Sequence, residues 1–211
     1  MSTGCRVNYD FERLYQVIVE SASAYGPITP RMLAVIDECE RQMPHQDWTI
    51  FRAHDYQADV GRLRHWVSAA VSALPLSPPP QGLWVGICNP CDVPQDMAST
   101  RTDLYLSFCA RFDSLTNDWA YESLVTSECM NSDVLRAIYG AAYGTEGGLG
   151  NSAEYPIALA YGAMITIEAL THAPSQLLSS LNGAVCGFDS GDSLLLGMFE
   201  DGVFWRSVRP L

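Results

Sequence analysis

A run of prolines after the first third of the chain divides it into two parts of different character. Four of the six residues from Pro75 to Pro80 are proline. Because proline lacks an amide hydrogen and restricts its own backbone angle, such a run cannot form a regular helix or a central strand. We therefore predict a stiff, extended connector at residues 75–80, with a helical part before it (1–74) and a part containing strands and helices after it (81–211).

Apolar residues before the connector recur every three or four positions, the spacing that places them on one face of a helix. The pattern predicts three helices, over Asn8–Tyr25, Thr29–Pro44 and Ala58–Leu74. Gly26-Pro27 ends the first helix, so the first two are expected to form a helical hairpin. The segment Trp48–Ala53 alternates weakly, which indicates a short strand or an irregular stretch.

Beyond the connector, strand patterns and helix patterns occur in separate groups. Leu83–Cys88 and Asp103–Phe112 are rich in aromatic and β-branched residues, and we predict that they pair as an antiparallel hairpin with a long loop. Helical patterns follow over Ser132–Tyr143 and Tyr155–Thr171. Pro174 is expected to open a further short helical turn.

The C-terminal segment has the pattern of a three-stranded meander. Short apolar runs cover Ala184–Phe188, Ser193–Phe199 and Val203–Val208, with turn-forming residues between them. Because strand pairs flank the helices instead of alternating with them, we predict an α+β fold with packed helices and an antiparallel sheet, not a doubly wound α/β sheet. A chain of 211 residues fits one domain, so residues 1–211 are interpreted as a single α+β domain.

The charge of the chain limits its partners and its chemistry. The formal net charge is −12, and all twelve basic residues are arginine. Without lysine there can be no lysine Schiff base, no pyridoxal phosphate attachment and no P-loop lysine. The negative charge disfavours nucleic acid, which needs clustered basic residues, and favours a basic protein partner. We expect a protein partner and no cofactor.

Three features indicate the compartment. The longest apolar stretch, Ile157–Ala173, is interrupted by polar residues and is shorter than the roughly 20 residues that span a bilayer. The N-terminal residues lack the pattern of a secretory signal. The seven cysteines are an odd number, which argues against a complete disulfide framework. We therefore predict a cytoplasmic protein with no membrane association and mostly reduced cysteines.

One motif suggests thiol chemistry. Cys88 and Cys91 have the two-residue spacing of disulfide oxidoreductases, in which one thiolate is stabilised beside the other. That chemistry also needs the motif at the end of a strand with the second cysteine entering a helix, and residues 92–95 do not open one. A turn that holds two cysteines is the alternative. The histidines have no partner at metal-ligand spacing, so no metal site is predicted.

A second motif suggests ester hydrolysis. The segment Gly191-Asp192-Ser193-Leu194 resembles the nucleophile block of GDSL-type esterases. In that family the serine stands near the start of the chain and the catalytic histidine follows it, whereas no histidine follows Leu194 here. The other interpretation is a hairpin turn, since these residue types favour turns.

Acidic residues cluster at the turns of the C-terminal meander. Turns would place them on the surface, and together with aromatic residues such as Trp84 and Tyr105 they could form an acidic rim that docks a basic protein. The simpler alternative is solvated turns with aromatic residues in the core. The candidate partner-binding residues are Asp189, Asp192, Glu200, Asp201 and Trp205.

Several segments after the connector carry a resemblance to a known group of proteins. They are Gly82–Ile87, Asp103–Leu106, Asp118-Trp119, Gly187–Asp192 and Leu196-Gly197. In combination they resemble uncharacterised bacterial proteins, some of them similar to immunity proteins that accompany polymorphic toxins. The resemblance implies a protein that binds and neutralises a cognate toxin, and it supplies no catalytic residues.

Two functions are thus carried forward. The first is a non-enzymatic protein-binding module, an antitoxin-like immunity protein that binds a basic toxin domain. The second is a small hydrolase that uses Ser193, or a thiol oxidoreductase that uses Cys88 and Cys91. We favour the first because each catalytic motif lacks a necessary partner.

Overall fold

Helices and strands occur in separate groups along the part of the chain that the computed structural model describes, residues 9–73, 77–88, 102–144, 146–174, 178–189 and 191–211. The helices are α1 (Phe11–Ser23), α2 (Ile28–Gln42), α3 (Trp48–Arg52), α4 (Val60–Ser72), α5 (Asp133–Tyr143) and α6 (Asn151–Thr171). The strands are β1 (Gly82–Ile87), β2 (Asp103–Cys109), β3 (Ser123–Thr126), β4 (Met130–Asn131), β5 (Gly183–Phe188), β6 (Ser193–Glu200) and β7 (Val203–Pro210). The predicted α+β class is confirmed.

All seven strands belong to one mixed sheet. Its order is β3-β2-β1-β5-β6-β7, and β4 pairs with β2 beside β3. The predicted hairpin is β1–β2 and the predicted meander is β5–β6–β7, both antiparallel. β1 and β5 pair in parallel, with Gly82 opposite Gly183 and Ile87 opposite Phe188. The wholly antiparallel sheet of the prediction is thus corrected at one pairing, which joins segments too distant in sequence for a local pattern to indicate it.

Helix α6 packs against one face of this sheet, which we call the helical face. Nearly every residue of α6 from Ala153 to Leu170 is buried, as is typical of a helix that is apolar all round. Gly162 allows close contact, because a Cβ atom there would lie 2.7 Å from Ile87 Cδ1. Helices α1, α2, α4 and α5 contact α6 in turn, so both sides of the proline-rich connector contribute to one hydrophobic core. Within the described ranges, the helices are too short or too polar to cross a membrane.

The opposite face, which we call the aromatic face, has a thinner cover. A small cluster of Trp84, Cys109, Trp119, Val185 and Leu195 lies there, partly beneath residues 110–122. Three glycines of β1 and β5 lie directly under aromatic rings, where an added Cβ would be 2.0–2.6 Å from a ring atom. The pairs are Gly82 with Trp119, Gly86 with Tyr105, and Gly183 with Phe112.

The prediction at Trp48–Ala53 was wrong, because the segment forms helix α3. Trp48 and Phe51 are fully buried and stand three residues apart, on one side of a helical turn, while Ile50 is exposed. Trp48 Nε1 donates a hydrogen bond to the carbonyl oxygen of Met43 at 2.8 Å. In so short a segment, one helical turn and weak alternation give nearly the same pattern of apolar residues.

Some smaller elements were not predicted. The strands β3 and β4 and a 3-10 helix over Asp118–Tyr121 have no clear apolar period, and β3 is largely exposed. Helix α6 begins at Asn151, four residues before the predicted start, and contains Pro156 in its second turn. The helical turn expected from Pro174 and the first residues of the connector fall partly outside the described residues.

Candidate functional site

A cavity of about 240 Å³ lies at the edge of the sheet where β1 and β5 end. Because these two strands are parallel, their carboxyl ends lie side by side, the place where open sheets with parallel strands commonly bind ligands. We call this cavity the edge pocket. The residues that line it include Trp84, Tyr105, Asn117, Tyr121, Phe188 and Asp189.

Tyr105 and Asp189 form the polar end of the edge pocket. The ring of Tyr105 comes from β2 and crosses Gly86, so that its hydroxyl donates a hydrogen bond to Asp189 Oδ1. The same hydroxyl accepts a hydrogen bond from Trp84 Nε1 at 3.1 Å. Burial, and then the adjacent carboxylate of Asp189, raise the pKa of the Tyr105 phenol. The phenol therefore remains a donor at neutral pH and orients the exposed carboxylate.

Residues 110–122 contribute one wall of the edge pocket. Hydrogen bonds join this segment to the turn after β5. Asn117 Nδ2 donates to the carbonyl oxygen of Gly191 at 3.1 Å and to Ser193 Oγ at 3.0 Å. Within the same segment, Trp119 Nε1 donates a hydrogen bond to the carbonyl oxygen of Thr116 at 2.8 Å. Tyr121 lines the pocket and is 81% exposed. The edge pocket thus has one wall that is fixed by hydrogen bonds and one large aromatic side chain, Tyr121, that is exposed to solvent.

The structure divides the candidate partner-binding residues into two groups. Asp189 and Asp192 stand on the turn between β5 and β6, whereas Glu200 and Asp201 stand on the turn between β6 and β7. The eight residues of β6 separate the two turns, and a strand rises about 3.3 Å per residue, so the groups lie roughly 25 Å apart. The four carboxylates do not form a single patch.

Within these groups only Asp189 lines the edge pocket. Asp192 is exposed on the same turn, and its Oδ1 atom accepts a hydrogen bond from the Tyr15 hydroxyl of α1 at 3.4 Å. Trp205 is 58% exposed on β7, opposite Met198 of β6, and is closer in the strand to the Glu200 turn. The edge pocket is thus associated with the first acidic group and not with the second.

Ser193 lies in a setting unlike that of a catalytic serine. Its side chain is buried, with 1% of the residue exposed, and Oγ accepts the hydrogen bond from Asn117. The preceding residues form a tight turn, in which Phe188 N donates to the Asp192 carbonyl oxygen at 2.9 Å. A nucleophilic serine needs an adjacent base and access to substrate. The hairpin-turn interpretation of this motif agrees with the structure.

Cys88 directly follows β1 and is half-buried. Burial, and then nearby Cys129, Asp189 and Asp103, raise the pKa of its thiol to about 12. Because the thiolate is the reactive form, this thiol is a poor nucleophile at neutral pH. Cys91, the second cysteine of the motif, lies outside the described residues. In the described parts of the chain, no three His, Cys, Asp or Glu side chains are grouped to hold a metal ion.

The wall residues Asn117 and Tyr121 were not predicted from the sequence. They lie between β2 and β3, in a segment without apolar periodicity, so no pattern marked them. Gly86 was the one sequence feature that could have indicated the position of the Tyr105 ring in the edge pocket. A glycine inside an otherwise apolar strand often marks close approach by another group, which here is the Tyr105 ring.

The chain was compared with known protein families, curated proteins and solved structures. No protein-family model, curated protein or solved structure matches the chain. The resemblance to immunity proteins therefore stays a prediction.

Proposed function

We propose that the chain is a non-enzymatic protein-binding module, an immunity-type inhibitor that binds and neutralises a cognate toxin in the cytoplasm. The edge pocket is the proposed centre of its binding surface. One observation carries the proposal, namely the carboxylate that Tyr105 orients at one end of an aromatic cavity. Pockets lined by aromatic residues are typical places for the few contacts that dominate protein–protein affinity.

The overall charge supports a basic partner. With a net charge of −12, the chain attracts positively charged proteins over distances of about a Debye length, roughly 8 Å at physiological ionic strength. Asp189 adds negative charge at the edge pocket, and Asp192 stands on the same exposed turn. Complementary charge of this kind speeds association and makes it depend on salt.

The settings of the two candidate nucleophiles favour binding over catalysis. Ser193 is buried and its Oγ atom accepts a hydrogen bond from an amide. The thiol of Cys88 has a raised pKa, which disfavours the thiolate. The alternative function, a small hydrolase or thiol oxidoreductase, would require rearrangement at either residue.

Affinity capture from the native host tests the proposal. The wild-type chain is immobilised, and captured proteins are identified by mass spectrometry at low and then high salt. We expect a stoichiometric basic protein that elutes as salt rises and that inhibits growth when expressed without the chain. Repeated failure to capture a specific protein, or growth inhibition unchanged by co-expression of the chain, would refute the proposal. Ester hydrolysis abolished by Ser193→Ala would support the alternative function instead.

A further inference from the structure

The size of the edge pocket suits a single side chain. Its volume of about 240 Å³ is several times the roughly 30 Å³ that one water molecule occupies in the liquid. It is smaller than the range of about 300–1,000 Å³ that is usual for drug-sized ligands and cofactors. The expected occupant is therefore a group about the size of an amino-acid side chain.

The chemistry of the walls suits a cation. Trp84, Tyr105 and Tyr121 contribute aromatic rings, and Asp189 contributes a negative charge. Cations bind over aromatic faces because the ring carries negative charge density there. An apolar side chain would leave the negative charge of Asp189 without a counterion, and an acidic side chain would be repelled. The occupant is thus expected to be positively charged.

The charge of Asp189 is available to such a group. Its Oδ1 atom accepts a hydrogen bond from Tyr105, but a carboxylate has about four acceptor positions. Among the described residues, the ion pairs of the arginines involve other carboxylates, such as Glu38, Glu122 and Asp133. An incoming cation can therefore pair with Asp189 without displacing an arginine of the described chain.

We infer that the edge pocket receives an arginine side chain of the protein partner, an assignment that rests on the proposed binding function. The planar guanidinium can stack on an aromatic ring while it donates two parallel hydrogen bonds to one carboxylate. A lysine ammonium is compact and strongly hydrated, and it cannot do both. The edge pocket offers both partners within one cavity, the rings of Trp84 and Tyr121 and the carboxylate of Asp189.

Nuclear magnetic resonance with small probes tests the inference on the full chain. The ¹⁵N-labelled protein is titrated separately with Nα-acetyl-arginine methylamide and with its lysine and citrulline counterparts. Trp84 is the reporter, since its indole N–H donates a hydrogen bond to Tyr105 inside the pocket. Trp205 on β7 is the internal control, because it lies away from the pocket lining.

We expect the arginine probe to shift the Trp84 indole signal saturably and to leave that of Trp205 unchanged. The lysine probe should bind about threefold more weakly, because an ammonium has no planar group that can stack on a ring while it donates two parallel hydrogen bonds. The citrulline probe, which keeps the shape and lacks the charge, should cause no saturable shift. Equal shifts with citrulline and arginine, or shifts confined to Trp205, would overturn the assignment without the use of any variant.

Two matched substitutions locate the charge. Asp189→Asn and Asp201→Asn each remove one carboxylate from an exposed turn, at opposite ends of β6. We expect Asp189→Asn to weaken the arginine probe about tenfold, as for loss of a charge-assisted hydrogen bond, and Asp201→Asn to have no effect. Equal affinity in both variants would overturn the inference.

The same variants separate the inference from the proposed function. If the arginine probe binds at the edge pocket but no basic protein is captured, the pocket assignment holds and the protein-binding function fails. If a basic protein is captured equally by wild type and Asp189→Asn, the function holds and the assignment of arginine to this pocket fails.

Discussion

The two faces of the sheet are made by alternate residues of the same strands, yet they are covered in different ways. On the helical face, Val85 and Ile87 pack in the large core that contains α6. On the aromatic face, Trp84 and Gly86 are covered by single rings and by residues 110–122. The comparison indicates that the helical face supplies most of the stability, whereas the thin cover of the aromatic face leaves space for a binding pocket.

The largest expected effect on the free energy of unfolding is at Asp59, among the helices that cover the helical face. This fully buried carboxylate precedes α4, and its Oδ2 atom accepts hydrogen bonds from Ser132 Oγ at 2.5 Å, Tyr161 Oη at 3.1 Å and Val134 N at 3.2 Å. Asp59→Ala removes the acceptor that joins α4, α5 and α6. We expect a loss of about 3–5 kcal/mol in the free energy of unfolding, measured with urea.

The matched control for this prediction is Asp201→Asn, on an exposed turn. We expect it to change the free energy of unfolding by less than about 0.5 kcal/mol. A similar small change for Asp59→Ala would mean that the buried network does not stabilise the helical side.

The next effect is on the aromatic face, at Gly86. A Cβ atom there would lie 2.0 Å from the Tyr105 ring, so Gly86→Ala must displace that ring from the floor of the edge pocket. We expect a loss of about 1–3 kcal/mol in unfolding free energy, as for other overpacked sites. The hydrogen bond from Tyr105 to Asp189 should weaken too, which the Trp84 indole resonance would report.

Gly61→Ala is the control for this substitution. Gly61 lies in α4 with no atom near the position of an added Cβ, so alanine should stabilise the protein by about 0.5–1 kcal/mol. Equal stability of wild type and Gly86→Ala, with an unchanged Trp84 signal, would contradict the close packing of the Tyr105 ring.

A matched pair of valines measures the difference between the faces directly. Val85 belongs to the large core and Val185 to the small cluster, and both are almost fully buried. We expect Val85→Ala to cost about 2–3 kcal/mol, and Val185→Ala about 1–2 kcal/mol, because the thin cover can relax into the space. Urea unfolding of both variants gives the comparison. Equal losses would mean that the faces are packed equally well.

The smallest effect depends on pH and concerns Glu154 of α6. Burial raises the pKa of this carboxyl group, although Tyr143 donates a hydrogen bond to Oε2 at 2.8 Å. Above the ordinary glutamate pKa and up to the raised value, the folded state binds more protons than the unfolded state, so stability falls as pH rises. Glu154→Gln keeps an acceptor and cannot ionise. We expect the variant to be more stable than wild type at neutral pH.

The measurement for Glu154 is unfolding by urea at several pH values. The stability of wild type should fall relative to that of Glu154→Gln as pH rises from about 4.5, the region where an ordinary glutamate ionises. Parallel curves for the two proteins would show that this carboxyl group is not perturbed by burial.

Local patterns predicted most of the regular elements and one residue of the candidate site. Apolar periodicity and turn residues predicted five helices and five strands, namely α1, α2, α4, α5 and α6 and β1, β2, β5, β6 and β7. Asp189 was selected for its charge on a turn, and the structure places it in the edge pocket. Asn117 and Tyr121 were missed, since the segment that holds them has no period and is positioned by hydrogen bonds to distant residues.

The sequence by itself determined the α+β class, the order of the elements and the acidic character of the chain. These follow from apolar periodicity, turn chemistry and charge, which depend on neighbouring residues alone. Only the tertiary structure decided that β1 pairs in parallel with β5 and that Tyr105 crosses Gly86 to reach Asp189. Those features require contacts between residues far apart in the chain, and no local pattern specifies such contacts.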